Sequence, residues 1–109
     1  MRAIYVAGKY TGTSEWETYN NIHKARIVAH RLWDEGFAVV CPHSNTAFFG
    51  GENHEVDRLK WMEGDFEILS RCDAIYMMAN YESSRGAMQE LEKAEELGIE
   101  VYYERLPDK

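Results

Sequence analysis

Four short apolar runs, separated by longer amphipathic segments, set the pattern of this sequence. The segments between the runs have the spacing of helices, which predicts the order β-α-β-α-β-α-β. Strands that alternate with helices in this way form a parallel sheet with helices on both faces. The predicted strands are AIYVA (3–7), FAVVC (37–41), DAIYMMA (73–79) and IEVYY (99–103).

Capping signals set the limits of the helices. Ser14 and Glu17 fit a capping box, and Gly36 is a usual C-terminal signal, so the first helix is predicted between them. The second and third helices are predicted from about 56 to 71 and from the turn at 83–84 to 97. The segment HSNTAFFGGENHEV, from 43 to about 56, reads as a long loop, and loops of that length in small domains are usually functional or mobile.

The fold class that follows is a three-layer α/β/α, flavodoxin-like or Rossmann-like domain with a four-stranded parallel sheet of order 2-1-3-4. Ligands in such folds bind at the carboxyl ends of the strands, where the strand order reverses. That point lies between the first and third strands. The loops there are GKYTGTS (8–14) and NYESSRG (80–86).

Composition and charge narrow the class of protein. The chain has 109 residues, which is the size of one domain, 1–109, and its 45% hydrophobic and 28% charged residues are typical of a globular protein. A net charge of −7 argues against nucleic-acid binding. No apolar run approaches membrane-span length and no signal peptide is evident, so we expect no membrane partner, a cytoplasmic location and reduced thiols at Cys41 and Cys72.

Two carboxylates lie at unexpected helix positions. Asp65 falls inside the apolar arc of the second helix, where a lone charge is costly, so it needs either a pocket or a partner such as a backbone N–H or a basic side chain. Glu90 lies at the edge of the apolar stripe of the third helix, and its alternative is an exposed pair with Lys93. The apolar arc of the second helix contains Trp61, Met62, Phe66, Ile68, Leu69 and Cys72.

The turn that opens the third helix has the composition of an anion site. Ser83 or Ser84 suits an N-cap, Gly86 allows close approach to the backbone, and Arg85 adds a cation beside the free N–H groups of a helix start. The alternative is that these residues cap the helix and do nothing else.

The four histidines differ in setting. His43 follows the second strand at the carboxyl edge, where it could border the site, whereas His23 and His30 are expected to be exposed on the first helix. His54 lies in an acidic loop with Glu52, Glu55 and Asp57, but this spacing matches no known ligand set, so no metal is predicted.

Four motifs in order resemble the nucleoside 2-deoxyribosyltransferase superfamily, which includes the 2'-deoxynucleoside 5'-phosphate N-hydrolases. They are AIYVAG-x-Y-x-G at the start, PH (42–43), Asp65 eight residues before Asp73, and S-x-G-x-x-x-E (84–90). The resemblance spans nearly the whole chain. It implies cleavage of an N-glycosidic bond without a cofactor.

The resemblance also implies roles. Glu90 matches the nucleophile that attacks C1' of the deoxyribose, Asp65 the carboxylate that assists departure of the base, and Tyr5 the tyrosine that orients the glutamate. Gly8 matches the glycine that lets the sugar phosphate approach the first loop, and Tyr10 belongs to the same substrate-binding loop.

Ser84 refines the implied substrate. The family's nucleoside transferases have an aspartate here, whereas the nucleotide hydrolases have a serine that accepts the 5'-phosphate, so Ser84 and Arg85 favour a deoxynucleotide. Lys9 and Thr11 depart from the serine and arginine of the hydrolases, which implies a different phosphate cradle. Characterised members are also longer and usually have a fifth strand. Many relatives are dimers, so a homodimer is expected.

Two other readings of the sequence stay open beside the deoxynucleotide N-glycosidase. One is a nucleotide-binding module or sensor without turnover, and the other is a hydrolase of another N-riboside. The residues identify neither the base nor the acceptor.

Overall fold

The computed structural model of the chain describes residues 1–45 and 54–104, with side chains described for all of these except 44, 45 and 54–58. Four strands and four α-helices follow one another along it. They are β1 (Ala3–Ala7), α1 (Glu15–Asp34), β2 (Ala38–Val40), α2 (Pro42–Asn45), α3 (His54–Ser70), β3 (Ala74–Met77), α4 (Arg85–Leu97) and β4 (Glu100–Tyr103).

The sheet confirms the predicted fold class. All neighbouring strands are parallel, and their order is β2-β1-β3-β4, so β1 and β3 lie side by side at its centre. Tyr5 is the register partner of Val40 on one side and Ile75 on the other. The loops that follow β1 and β3 therefore meet at the carboxyl edge, where the change in strand order was predicted to place a ligand.

The two faces of the sheet carry separate cores. On one face Ile4 and Val6 pack against Val28 and Leu32, and among the described helices only α1 contributes to this core. On the other face Tyr5 and its neighbours pack against α3 and α4, through a set that includes Leu69, Ala87, Leu91 and Ala94. Cys41 and Cys72 lie in cores on opposite faces, and both are free thiols.

Of the two hydrogen bonds in the capping box predicted at the start of α1, only one forms. The Ser14 hydroxyl accepts a hydrogen bond from the Glu17 amide at 3.1 Å. The Glu17 carboxylate does not return to the Ser14 amide. It accepts instead from Lys9 Nζ at 3.0 Å and Thr13 Oγ1 at 2.7 Å, which ties the loop after β1 to the helix.

Several boundaries differ from prediction, among them those of the third strand, which was predicted from 73 to 79 and spans Ala74–Met77. The second strand is shorter, because its pairing with β1 ends at Val40, and the predicted loop from 43 is helical from Pro42 to Asn45, since proline suits a first helical turn. The helix expected at about Val56 begins at His54, and the rest of that predicted loop, 46–53, lies outside the described residues. A 3-10 turn, Tyr81–Ser83, precedes α4, which ends at Leu97 and is capped by Gly98 with a φ of 70°, as the sequence signal predicted.

Within 1–45 and 54–104, no helix has the length and apolar character needed to cross a bilayer.

Candidate active site

A cavity of about 150 Å³ opens at the carboxyl ends of β1 and β3. It lies toward the face of the sheet that α3 and α4 cover. The residues that line it come from β1 and its loop, from α2 and α3, and from α4 with its N-cap. They are Val6, Gly8, Tyr10, Pro42, His43, Trp61, Met62, Asp65, Phe66, Ser84, Gly86, Ala87 and Glu90.

Glu90 faces the sheet, and its partner is Tyr5. The Tyr5 hydroxyl, on a fully buried side chain of β1, donates a hydrogen bond to Glu90 Oε2. Burial raises the pKa of Tyr5, so the phenol stays protonated and acts as a donor. The alternative pair with Lys93 is wrong, because the Lys93 ammonium lies 3.7 Å from Glu96 instead.

Asp65 lines the same cavity from α3. Burial raises its pKa to about 6. Burial likewise raises the pKa of Glu90 to about 8; the Tyr5 hydrogen bond opposes this shift, and the charge of Asp65 adds to it. Two acidic groups with raised pKa values therefore face one small space, a pattern common where carboxylates do acid–base work.

The turn before α4 supplies hydrogen-bond donors beside these acids. Ser84 is the N-cap, and its Oγ accepts from the Ala87 amide at 3.1 Å, which leaves its own hydroxyl proton available. Gly86 lines the cavity, and a Cβ built on it would approach no atom closer than Ser84 Oγ at 4.0 Å. The amides of Arg85 and Gly86 are among the helix-start donors that have no partner inside the helix.

The loops after β1 and β3 are held together by Asn80, which the sequence did not single out. Its side-chain oxygen accepts from the Lys9 amide at 3.0 Å. Gly8 is needed at this crossing, because a Cβ there would lie 2.6 Å from Met78 Sδ and 2.9 Å from Met78 Cβ. The glycine thus serves close packing of the two loops.

His43 and Tyr10 form the edge of the cavity near β2. The His43 side chain is buried, and its Nε2–H donates to the Lys9 carbonyl at 3.1 Å, while burial lowers the pKa of the imidazole and favours its neutral form. The Tyr10 and His43 rings meet edge to face at 5.7 Å. Within the described residues, His43 Nδ1 is buried without a hydrogen-bond partner.

One wall of the cavity was missed at the sequence level. Trp61, Met62 and Phe66 of α3 were assigned to the apolar arc that packs on the sheet, but they line the cavity beside Asp65. The one sequence feature that could have indicated their role is Asp65, a charged residue on the same apolar arc of the helix. They give the cavity an apolar lining on the α3 side.

Two predicted cations lie apart from the cavity. Arg85 is exposed and does not line it, although it stands at the first position of α4. The Lys9 ammonium forms an ion pair with Glu17 and is not among the residues that line the cavity.

His23 and His30 are exposed, as predicted. The side chains of the acidic group around His54 lie outside the described residues, and within the described part no three potential metal ligands come together.

The fold and cavity define a Rossmann-like α/β domain with a ligand site at its topological switch point. The chain belongs to the family described as domain of unknown function DUF4406, whose model matches residues 2–103. No curated protein sequence matches it.

Two solved structures resemble the chain. A 2-deoxyribosyltransferase from the bacterium Bacillus psychrosaccharolyticus is 24% identical with a TM-score of 0.65, and the alignment covers 96% of this chain and 77% of that one. A 2-deoxyribosyltransferase from Leishmania mexicana is 18% identical with a TM-score of 0.66, and the alignment covers 94% of this chain and 63% of that one. At these identities the likeness shows a common fold.

Proposed function

We propose that this protein cleaves the N-glycosidic bond of a 2'-deoxynucleoside 5'-monophosphate, with Glu90 as nucleophile. The observation that carries the proposal is the arrangement of two carboxyl groups around one cavity, with the Tyr5 hydroxyl hydrogen-bonded to Glu90. The likeness in fold to two 2-deoxyribosyltransferases supports the same reaction class.

The reaction needs one ionised and one protonated carboxyl group. Ionised Glu90 attacks C1', the C1'–N bond breaks, and its electron pair leaves with the base, which takes a proton from Asp65. Water then attacks C1' of the glycosyl ester and gives a proton to Asp65, which frees Glu90. A second base in place of water gives transfer. Tyr5 fixes the orientation of Glu90 throughout, because it is buried and remains a donor.

The 5'-phosphate would be held at the start of α4. The Ser84 hydroxyl and the amides of Arg85 and Gly86 lie at the positive end of this helix, which favours an anion. Six residues separate Ser84 from Glu90, about 9 Å along the axis, and side chains that reach back from both ends can span the shorter path from a 5'-phosphate to C1'. Trp61, Met62 and Phe66 would pack against the base.

The test of this proposal is chromatography of free base after incubation with each deoxynucleoside monophosphate and its matching nucleoside. Base release from at least one monophosphate, faster than from the nucleoside, is expected. Glu90→Gln should lower the rate at least about a thousandfold, since it removes the attacking group while keeping the shape. Glu92→Gln, an exposed position on the same helix, is the matched control and should keep the rate.

Three results would contradict the proposal in different ways. Near wild-type release by Glu90→Gln would mean that Glu90 is not the nucleophile. Tight binding of a monophosphate with no release of base would favour a nucleotide sensor. Release from ribonucleotides in preference to deoxyribonucleotides would favour a hydrolase of another N-riboside.

A further inference from the structure

Side chains hold the loop between β1 and α1 in place. Within the described residues, positions 9–13 make no backbone–backbone hydrogen bond. The Lys9 amide donates instead to Asn80 Oδ1 at 3.0 Å, and the Gly12 amide donates to Thr18 Oγ1 at 2.9 Å. The shape of this loop therefore depends on a few contacts that can be removed one at a time.

Two further side chains anchor the peptide units on either side of Tyr10. The His43 ring donates to the Lys9 carbonyl at 3.1 Å, and the Asn21 side-chain amide donates to the Tyr10 carbonyl at 3.2 Å. These carbonyls belong to the two planar units that flank the Tyr10 Cα, so both of its backbone dihedrals are restrained. The point from which the Tyr10 side chain extends is thus fixed before any ligand arrives.

Both anchoring side chains are buried. Asn21 and His43 are 4% and 5% exposed, and apart from tyrosines and cysteines they are the only buried residues with polar side chains in the part of the chain that the structure describes. Burial of an amide or an imidazole costs free energy unless the group is hydrogen-bonded. Both residues form their hydrogen bonds with the same loop, which indicates that the conformation of this loop matters.

Asn21 reaches the cavity only through Tyr10. It belongs to α1, the helix that covers the opposite face of the sheet, and it is not among the residues that line the cavity. Tyr10 does line the cavity, and its ring meets the His43 ring edge to face. An effect of Asn21 on a bound ligand would therefore pass through the Tyr10 carbonyl that it holds.

We propose that Asn21 is a positioning residue, which holds the loop after β1 so that Tyr10 forms a preset wall of the cavity. A loose loop would lose conformational freedom when the ligand binds, and this loss would weaken binding. Because Asn21 restrains the loop in the free protein, the loss is incurred during folding instead. The inference rests on the proposed function only for the identity of the ligand, a 2'-deoxynucleoside 5'-monophosphate.

The first test is the steady-state kinetics of Asn21→Leu, which removes the donor and keeps a similar volume. KM should rise about tenfold while kcat changes less than about twofold, because the loop has to be ordered equally in the bound ground state and in the transition state. The pH profile of kcat/KM should keep its limbs. Asn20→Leu, the same change at the neighbouring, partly exposed residue of α1, is the control and should leave KM unchanged.

The second test is a double-mutant cycle with Tyr10→Ala, which keeps the carbonyl but removes the ring. If Asn21 acts through the position of that ring, Asn21→Leu should weaken monophosphate binding less than about twofold in the Tyr10→Ala background, against about tenfold in the wild-type background. A residue that only stabilises the fold would give the same loss in both backgrounds. Equilibrium titration gives Kd for the four proteins, and circular dichroism shows that they are folded.

Asn80→Ala provides a second route to the same cycle. It removes the acceptor of the Lys9 amide at a half-buried position, so it tests the loop even if Asn21→Leu does not fold. It should likewise raise Kd in the wild-type background and change it little in the Tyr10→Ala background.

Three outcomes would overturn the inference. They are a folded Asn21→Leu chain with unchanged Kd, equal losses of affinity with and without the Tyr10 ring, and a fall in kcat with unchanged KM. A wild-type chain that binds the monophosphate but releases no base would contradict the proposed reaction alone, since the cycle in Kd needs no turnover. A wild-type chain that binds no monophosphate would overturn both.

Discussion

Glu90 and Asp65 have to share one proton for the proposed reaction, and the protein prepares them for this by burial. The pKa values, about 8 for Glu90 and about 6 for Asp65, leave one proton on the two groups at intermediate pH and place it mainly on Glu90. The reactive form, with Glu90 ionised and Asp65 protonated, is therefore the minor one. The Tyr5 hydrogen bond favours this form, because it lowers the pKa of Glu90.

The pH dependence of kcat/KM should therefore be bell-shaped, with its maximum between about pH 6 and pH 8. Below this range both acids are protonated and Glu90 cannot attack. Above it both are ionised and no acid is available for the departing base. Initial rates of base release across pH measure the profile, and Glu92→Gln, which changes an exposed carboxylate, should leave it unchanged.

Tyr5→Phe should shift this profile. Loss of the hydroxyl removes the hydrogen bond that lowers the pKa of Glu90. The alkaline limb of the profile, near pH 8, should therefore move to higher pH. The rate near neutrality should fall, because a smaller fraction of Glu90 is ionised there. An unshifted profile would mean that the Tyr5 hydrogen bond does not act on the ionisation of the pair.

Helix α4 has two separate tasks in the proposed site. Its first turn presents Ser84 and Gly86 to the cavity, and Glu90 follows one and a half turns later on the face toward Tyr5. Since a helix is stiff over this length, the distance between the phosphate donors and the attacking carboxylate is fixed before any ligand arrives.

Ser84→Asp separates capping from phosphate binding. Aspartate caps helices about as well as serine, so the variant should fold normally, but its charge should repel a 5'-phosphate. We expect affinity for monophosphates to fall about tenfold or more, and affinity for free nucleosides to change little. Competition titrations measure both, and Ser84→Asn, a neutral cap of nearly the same shape, is the control. Equal losses for both ligands in Ser84→Asp would mean that the turn is only a cap.

The sequence predicted the elements of this site better than their contacts. Asp65 and Glu90 stood out because a charge on an apolar helix face breaks a pattern, and Ser84 because it precedes a helix. Trp61 could not stand out, since an apolar side chain that lines a cavity and one that fills a core look identical in sequence. Asn80 acts through a contact between two loops, which only the folded chain reveals.

The sheet order was predictable for a more general reason. Short apolar runs alternating with amphipathic segments leave few topologies once crossovers are right-handed and parallel strands are buried. The limits of β2 and α2 were less predictable, because they depend on where pairing with β1 stops. The capping box at Ser14 was only half correct, since Glu17 found better partners in Lys9 and Thr13 of the preceding loop.

The two central loops and α4 form one connected body. Tyr5 joins β1 to α4 through Glu90, and Asn80 joins the loop after β3 to the loop after β1. The part of α3 that lines the cavity is held less firmly. This helix is buried chiefly near its C-terminal end, where Leu69 is fully enclosed. Trp61 lies eight residues earlier, about 12 Å along the axis.

A tilt of α3 by about 10° about Leu69 would displace Trp61 by about 2 Å, without any change in the turn that opens α4. The two products of the proposed reaction also part in a fixed order, because the sugar stays bonded to Glu90 after the base has departed. A small displacement of the α3 wall would thus be enough to open a path for the base while the sugar phosphate is still attached.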